Sequence, residues 1–553
     1  MSLFRDLKRR LSSTLPNRGK GSDGATDDGN VQSHALLHEL LPQAMQGDAE
    51  AQYQLGMIYA SGQKVLRDMA DAAAWYRKAA EQGHLEAQHQ LAMILLTGQG
   101  ALPAGTFQLR WHQAALEANK AVARANLDLL YPSGLGVPKD PEGGLKWLHQ
   151  AAEGGHAQAQ FSLGQLYSQG QGVAKDIEAA AGWFRRAAEQ GNPAAQFSLA
   201  LIHHFGYGLT PDPAQAAVWY RKAAEQDNAN AQFNLAILYA NGLGVEQDHA
   251  EALTWFLKVA DQGNVNAQMN VALMYSRGQG APQDLGEAQA WLRRAAEQGH
   301  GPAHWYLGQM YLNGQGVPAD PAEAAQWLRR GAELGHADSQ LSIAQLYTEG
   351  RGVPKDLEDA FAWMKKAAEQ GMANAQYNLA LCHSKGWGVA ANPAEAVVWF
   401  KKAAEHRYVQ AEFALAQVYI RGLGVERDST ESLSWYRRAA RNGHALAMAA
   451  LGEIYKAGTV VPKDLVQAHM WFTLMIERLP EGAERSRGLA QVDELATMME
   501  PEEVEAAGRL VERFHASGEL PGAPEDAAQA QAQVQVQVPA GEGPPHGDGA
   551  GHP

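Results

Sequence analysis

The sequence predicts an all-α protein, a right-handed α–α superhelix built as a solenoid of antiparallel helix pairs. Three observations predict it. Tryptophan recurs every 36 residues, apolar residues recur at helical spacing between the tryptophans, and glycine and aspartate fall where helices should end and begin. Twelve of the fourteen tryptophans share one register, with no insertion or deletion between about residue 51 and residue 482. They are Trp75, Trp111, Trp147, Trp183, Trp219, Trp255, Trp291, Trp327, Trp363, Trp399, Trp435 and Trp471.

The first helix of each repeat is indicated by a small residue, a leucine and a tyrosine spaced four residues apart. In one typical repeat these are Ala231, Leu235 and Tyr239, which fall on one helical face. The residue after the leucine is usually glycine or alanine, which lets a neighbouring helix approach. Gly242 and Gly244 then end the helix, because glycine adopts the left-handed conformation without a Cβ penalty.

The second helix begins at an aspartate and carries the tryptophan on its buried face. Aspartate holds this position in ten repeats, as Asp248 does, with Asn392 in another and Ala104 as the exception. Glutamate often follows three residues later, as Glu251 does, and this spacing predicts a capping box. Proline stands at the first helical position behind some of these caps, as at Pro213, Pro321 and Pro393.

The combined pattern is A-x-x-x-L-G/A-x-x-Y-x-x-G-x-G-V-x-x-D-x-x-x-A-x-x-W-[YFL]-[RK]-[RK]-A-A-x-x-G. It resembles the Sel-1-like repeat, a relative of the tetratricopeptide repeat, over twelve consecutive repeats that span most of the chain. The resemblance implies a non-enzymatic scaffold or adaptor that binds a partner protein or peptide in the groove of the solenoid. It also implies roles in bacteria that are linked to envelope processes, signalling or host contact.

The segments outside the period predict caps and tails. The predicted divisions are a basic and polar tail at 1–34, an N-terminal half-repeat cap at 35–50, twelve repeats at 51–482, capping helices at 483–516 and a disordered tail at 517–553. Residues 1–16 carry an apolar stripe beside basic residues, so they are either an amphipathic helix that contacts a membrane surface or a disordered basic tail.

Composition excludes several classes of partner and location. A net charge of −15 disfavours nucleic acid, and no apolar run reaches the ~18 residues that a membrane span requires. The lone cysteine, Cys382, excludes an intrachain disulfide framework. Because residues 1–30 show no secretory signal, we expect a cytoplasmic protein, with peripheral contact at the inner membrane if residues 1–16 bind lipid.

Isolated matches to catalytic or metal-binding motifs lack partner motifs. Ser61 and Lys64 fit the Ser-x-x-Lys string of serine β-lactamases, but neither Ser-Asp-Asn nor Lys-Thr-Gly occurs. His203 holds a packing-tyrosine register, and no third metal ligand lies at ligand spacing. We therefore predict no catalytic, cofactor-binding or metal-binding residue; the alternatives are an exported or surface-associated binding protein and a β-lactamase-like hydrolase. Five histidines follow second-helix glycines and are assigned to solvated loops: His84, His156, His300, His336 and His444.

Aromatic residues are the partner-binding candidates. Trp387 lies between two turn glycines, and Phe205 and Tyr207 occupy a similar turn, where they either form an interface hot spot or pack over the turn. A second set holds the third position of the first helix, which helical angles place nearly opposite Leu235, away from the seam within the repeat. These rings either line the groove or pack between successive first helices: Tyr53, Phe161, Phe197, Phe233, Trp305, Tyr377 and Phe413.

Overall fold

The computed structural model describes residues 39–62, 67–98 and 137–517 of the chain. Within these ranges every regular element is a helix. The predicted tails at 1–34 and beyond 517, including the stripe in residues 1–16, lie outside the described residues.

The described chain divides into two compact units, one up to Ala267 with Gln279–Ala281, the other comprising Gln268–Gly278 and the chain from Pro282. A helix at 39–46 precedes the numbered helices. The first unit holds α1 Ala49–Ser61, α2 Met69–Glu81, α3 Leu85–Thr97, α4 Pro141–Glu153, α5 Ala157–Gln169, α6 Ile177–Glu189, α7 Pro193–Phe205, α8 Pro213–Ala224, α9 Ala229–Asn241 and α10 His249–Asp261. The division falls within α11 Val265–Arg277. The second unit continues with α12 Leu285–Glu297, α13 Gly301–Asn313, α14 Pro321–Glu333, α15 Ala337–Glu349, α16 Leu357–Glu369, α17 Ala373–Lys385, α18 Pro393–Glu405, α19 Val409–Arg421, α20 Ser429–Arg441, α21 Ala445–Ala457, α22 Leu465–Arg478, α23 Ala483–Met498 and α24 Pro501–Ser517.

Odd-numbered helices up to α21 are the first helices of repeats, called A helices, and even-numbered helices up to α22 are the second, called B helices. Within each unit, a B helix packs on its own A helix and on the next A helix along the chain. The seam is close because small A-helix residues face B-helix rings: Gly56 lies against Tyr76, and Gly164 against Phe184. The predicted all-α solenoid of helix pairs is confirmed.

The predicted capping box has two parts. The aspartate cap is confirmed, and the predicted contact of the glutamate with the cap residue is wrong. Asp248 accepts hydrogen bonds from the second and third amides of α10, as an N-cap residue should. The Glu251 carboxylate does not return to the Asp248 amide, which already donates to the Tyr239 carbonyl at 3.0 Å. Glu251 instead accepts from the Trp255 indole at 3.1 Å, and Lys258 lies 4.0 Å over the same ring. The glutamate therefore positions the tryptophan rather than completing a capping box.

A buried glutamine in most A helices connects successive repeats. Gln196 is 3% exposed, and its amide donates to the Ala188 carbonyl on the preceding B helix at 3.1 Å. Its own oxygen accepts from Gln226, which follows the B helix of the same repeat, at 2.8 Å. Carbonyls at helix ends lack intrahelical partners, so these amides satisfy groups that stacking would otherwise bury unpaired. The same pairing recurs at Gln52 and Gln82, Gln160 and Gln190, Gln232 and Gln262, Gln268 and Gln298, and Gln340 and Gln370.

One repeat replaces this glutamine with a fully buried glutamate, Glu412. A carboxylate has no N–H to donate to the Ala404 carbonyl, and Arg438 makes that bond instead at 2.7 Å. The same guanidinium donates to Glu412 at 2.7 Å, and Asn442 donates to it at 2.8 Å. The arginine thus supplies both the missing donor and the opposite charge.

The pairing of α3 departs from the sequence expectation. The 36-residue period predicts that α3 pairs with the segment that carries Trp111, but in the structure α3 packs against α4, which carries Trp147. The Asp140 amide donates to the Leu95 carbonyl at 2.9 Å, a bond that in other repeats joins residues one full repeat closer in sequence. Both segments share one register, but only the later one begins with a capping aspartate, since the earlier one has Ala104. Residues 99–136 lie outside the described residues.

Helices outside the repeats cover the ends of the described solenoid. Leu40 and Ala44 of the 39–46 helix are buried, and Gln52 donates to the Ala44 carbonyl at 2.9 Å as if 39–46 were a preceding B helix. At the other end, α23 and α24 pack on α22, and the Phe514 ring lies 6.2 Å from Trp471.

We predict that Arg438→Ala destabilises the α19–α20 region by about 3 kcal/mol, because it leaves a buried carboxylate without its charge partner. Hydrogen exchange of the α19 amides, with urea unfolding followed by circular dichroism, measures the loss. Arg186→Ala is the matched control, because this arginine lies over Trp183 in the same register beside Gln160 instead of a glutamate.

Adding Glu412→Gln to Arg438→Ala is expected to recover most of the stability, since glutamine donates to the carbonyl itself. Equal losses in Arg438→Ala and Arg186→Ala, or no recovery in the double variant, would contradict this account.

Candidate functional site

Three exposed aromatic side chains lie at the ends of A helices or in the turns that follow them. Phe205, Tyr207 and Trp387 expose 52%, 56% and 47% of their surface. The Phe205 ring lies 5.6 Å from the Tyr207 ring, and His204 stacks on Phe205 at 4.4 Å. Local packing therefore covers part of each side chain and leaves about half of it open to a partner.

The turn that carries Trp387 is held close to the preceding repeat. Gly386 and Gly388 both have positive φ, 74° and 66°. A Cβ on Gly388 would collide with the Leu357 carbonyl and the Glu358 amide at the start of α16. Since only glycine allows this contact, the backbone is seated on the neighbouring repeat while the indole points outward.

Exposed apolar residues recur at matching positions five repeats apart. The four aliphatic members, which sequence reasoning missed, are each 44% to 48% exposed. The detectable signal was the turn G-L-G-V-E-x-D, which is shared by residues 242–248 and 422–428. Patch 1 is Phe205, Tyr207, Val218 and Leu243; patch 2 is Trp387, Val398 and Leu423.

The five-repeat relation extends to backbone and core. Asp227 and Arg407, which are also five repeats apart, are the non-glycine residues with positive φ in the described chain, at 61° and 58°. His203 and His383 both occupy a tyrosine register, and burial lowers the pKa of each imidazole. The two regions therefore resemble each other in backbone conformation and in core residues as well as in exposed residues.

A cleft of about 470 Å³ adjoins patch 1, between α8 and the end of α9 with its turn. Ala217 and Val218 contribute apolar surface, Arg221 and Lys222 contribute positive charge, and Glu225 contributes one carboxylate. The Arg221 guanidinium donates to the Tyr239 hydroxyl, which fixes it at the rim. Apolar surface beside fixed cations suits a ligand that carries both an apolar group and a carboxylate.

Most third-position aromatics lie at the seam between the two helices of their own repeat, which is not where they are predicted to lie. Helical angles predict that they point away from the seam within the repeat. For six of the seven this is wrong, because the ring that follows the tryptophan on the B helix contacts them across that seam. All are half-buried, so their binding of a partner stays a prediction. The ring pairs, 5.4 to 5.9 Å apart, are Tyr53–Tyr76, Phe161–Phe184, Phe197–Tyr220, Phe233–Phe256, Tyr377–Phe400 and Phe413–Tyr436.

Trp305 bridges two A helices. Its indole donates to Ser342 Oγ on α15 at 3.0 Å, and its ring meets Tyr306 edge-on at 4.9 Å. This contact favours packing between successive A helices, which was one of the two sequence interpretations. Among the two tryptophans outside the register, Trp387 is the more exposed candidate.

Four of the five histidines assigned to solvated loops cap A helices through a side-chain hydrogen bond, whereas His300 makes no such bond. Nδ1 of His84, His156 and His444 accepts the backbone N–H three residues ahead, and His336 does the same. The sequence interpretation failed because the first amides of each A helix need an acceptor where the histidine stands. Phe413 stacks on His444 at 4.3 Å, and burial lowers the pKa of this imidazole.

The serine of the Ser-x-x-Lys string is the last residue of α1, and its hydroxyl donates to the Ile58 carbonyl at 3.3 Å. The β-lactamase arrangement needs the serine at a helix start. Lys64 lies outside the described residues.

Comparison with known proteins decides the family. The Sel1 repeat model matches twelve segments, at 49–84, 85–106, 125–156, 157–192, 193–228, 229–264, 265–300, 301–336, 337–372, 373–408, 409–444 and 445–478. The chain belongs to the Sel1 repeat family.

A solved structure of the same fold agrees with the family. This Sel1 repeat protein is similar to c5321, a protective antigen present in uropathogenic Escherichia coli strains that displays an SLR fold. The two share 31% identity and a TM-score of 0.59 over 93% of this chain and 99% of the other. A Sel1 repeat protein from Oxalobacter formigenes is 29% identical, with a TM-score of 0.45 over 66% of this chain and 97% of that one. No curated protein matches the chain.

The two shortest Sel1 matches contain the helices of the unusual pair. Residues 85–106 and 125–156 match only partly, and between them they contain α3 and α4. The region where the family pattern weakens is thus the region where the A helix of one sequence repeat pairs with the B helix of the next.

Sel1 repeat solenoids generally act as protein-interaction scaffolds and are generally non-catalytic. In the described ranges, none of the helices combines the length and the apolar character needed to cross a bilayer.

We predict that acid weakens the His444 cap. Burial lowers the pKa of His444, so its contribution to stability is complete above the unfolded value of about 6.5 and is lost as pH falls below it. Protonated Nδ1 cannot accept the Ala447 amide, and a lost cap costs about 1 kcal/mol. Protection of the Ala447 amide from hydrogen exchange should fall several-fold between pH 7.5 and pH 5.

Two controls isolate the titration. The Ala195 amide, capped by Asn192 at 2.9 Å, should keep its protection in the same sample, and His444→Asn should make Ala447 behave like it. A pH response that survives in His444→Asn would contradict the assignment.

Proposed function

We propose that this Sel1 repeat protein is a non-enzymatic scaffold that binds a partner protein or peptide through patches 1 and 2. The observation that carries the proposal is the exposure of Trp387 and Tyr207 at a turn position that is polar in several other repeats, as at Gln315 and Arg351. Tyrosine and tryptophan are enriched in interface hot spots, because they bury large area at low entropic cost.

The groove is the recognition surface expected from the sequence, and the exposed side chains favour the turns instead. Third-position rings already contact their own B helices, whereas the side chains of the patches keep about half of their surface exposed. Turn residues on a rigid scaffold are suited to binding, since changing them leaves the packed helices intact.

Charge beside the patches indicates the partner's chemistry. Arg221 and Lys222 line the cleft next to Val218, and Lys401 and Lys402 occupy the same positions beside Val398. A segment with an aromatic or aliphatic anchor followed by carboxylates would match both regions. Two copies of the region favour a partner that contains two such segments, or two partner molecules per chain.

We propose a cytoplasmic location for this scaffold, with peripheral contact at an inner membrane if residues 1–16 bind lipid. The exported alternative is favoured by one observation, the similarity to an E. coli protein described as a protective antigen. Fractionation with protease treatment of intact cells separates the two. Protection in intact cells and digestion after lysis support the cytoplasmic proposal, and digestion in intact cells overturns it.

Affinity capture of partners from the native cell tests the binding surface. Trp387→Gln and Tyr207→Gln should each reduce partner recovery roughly 30-fold, the effect of losing a hot spot of about 2 kcal/mol. Both substitutions introduce a residue that the same turn position carries in other repeats, so folding should be unaffected.

Gln315→Ala, at the same turn position in another repeat, is the matched control and should leave recovery unchanged. Identical partner sets for wild type, Trp387→Gln and Tyr207→Gln would overturn the proposed surface.

A further inference from the structure

We infer that Glu86, His89 and His156 form a binding site for a divalent transition-metal ion of the zinc class. Glu86 and His89 lie on one face of the first turns of α3, and His156 is the N-cap residue of α5. A carboxylate oxygen and one nitrogen from each histidine all lie within 4.8 Å of one another.

The three side chains converge closely. His156 Nε2 lies 2.5 Å from one Glu86 oxygen, and His89 Nδ1 lies 3.8 Å from the other. The two imidazole rings are 5.1 Å apart, tilted by 31°. Because α3 pairs with α4, His156 stands over Glu86 although the two are far apart along the chain, which is why sequence spacing did not reveal the set.

His89 is the observation that points to a ligand. It is 7% exposed, and neither ring nitrogen has a hydrogen-bond partner among the described residues. A buried polar atom without a partner is unfavourable. Other repeats place a ring without nitrogen at this register, Phe161 for example, so the packing does not require histidine.

The first repeat provides an internal comparison. His84 Nε2 lies 3.0 Å from Glu50, and the residue stacked on His84 is Tyr53, at 4.6 Å. The carboxylate–histidine pair is therefore a structural contact that the fold also forms without a third ligand. His89 is what converts the second copy into a set of three donors.

The donor chemistry suits zinc and similar ions. Two imidazoles and a carboxylate bind zinc at about 2.0–2.2 Å and leave a coordination position open. The Glu86 side chain is 36% exposed and that of His156 is 16% exposed, so an ion can enter from solvent. Coordination through His156 Nε2 moves the ring proton to Nδ1 and removes the 3.1 Å bond from the Ala159 amide. The site would exchange this cap bond and the His156–Glu86 hydrogen bond for three metal–ligand bonds.

Titration of chelator-treated full-length protein with Co²⁺ and Zn²⁺ tests the inference, by visible absorption for cobalt and by calorimetry for zinc. We expect one ion per chain at this site. His89→Phe, which installs the residue of Phe161 and Phe197, should weaken binding by more than the ~100-fold that loss of an outer-shell partner causes. Its circular dichroism and urea midpoint should match those of wild type.

A gain-of-site variant makes the test independent of damage to the fold. Tyr53→His places the same three donors together with Glu50 and His84, and we expect it to bind a second ion. Tyr53→Phe is its control and should bind as wild type does. Wild-type binding that survives in His89→Phe, no specific binding by wild type, or no additional ion in Tyr53→His would each overturn the site.

Discussion

A side-chain amide, buried where successive repeats meet, links most B helices to the next repeat. Gln196 shows the requirement: its N–H satisfies a carbonyl at the end of one B helix, and its oxygen receives the amide that follows the next. The bonded glutamines keep one constant separation in sequence, so an insertion between them would displace the bond. The side-chain oxygens of Gln88 and Gln376 have no partner among the described residues. In these two repeats the glutamine that would donate to them after the B helix is replaced by Gly154 and His406. Polar satisfaction thus helps to hold the period constant, beside apolar packing.

Constant packing leaves few surfaces for function. A helices are covered by B helices on either side, and the seam takes up the third-position rings, so strongly exposed apolar side chains occur mainly at turns and on outer B-helix faces. Tyr207 and Trp387 lie at such turns, where flanking glycines form the turn and the side chain between them points outward. The two patches lie five repeats apart on turns whose glycines share the left-handed conformation.

Single changes within an invariant frame explain the distinctive sites. Glu412 replaces a ladder glutamine and is compatible with the fold because Arg438 supplies its missing donor. His89 replaces an aromatic ring and has no such compensation in the described protein. The polar atoms of Glu412 find partners within the chain. The two ring nitrogens of His89 have no hydrogen-bond partner among the described residues and are available to an ion. Hydrogen-bond satisfaction therefore distinguishes the two replacements.

The sequence by itself determined the helices, their aspartate and glycine caps and the repeat register, because these depend on residues within one turn or one repeat. Only the tertiary structure decided that α3 pairs with α4, that Glu251 accepts a hydrogen bond from Trp255, and that His156 contacts Glu86. Every repeat presents nearly the same pattern, so the pattern cannot specify which B helix an A helix selects. That choice depends on packing and capping between segments far apart in the chain, and the donor set around His89 is its direct consequence.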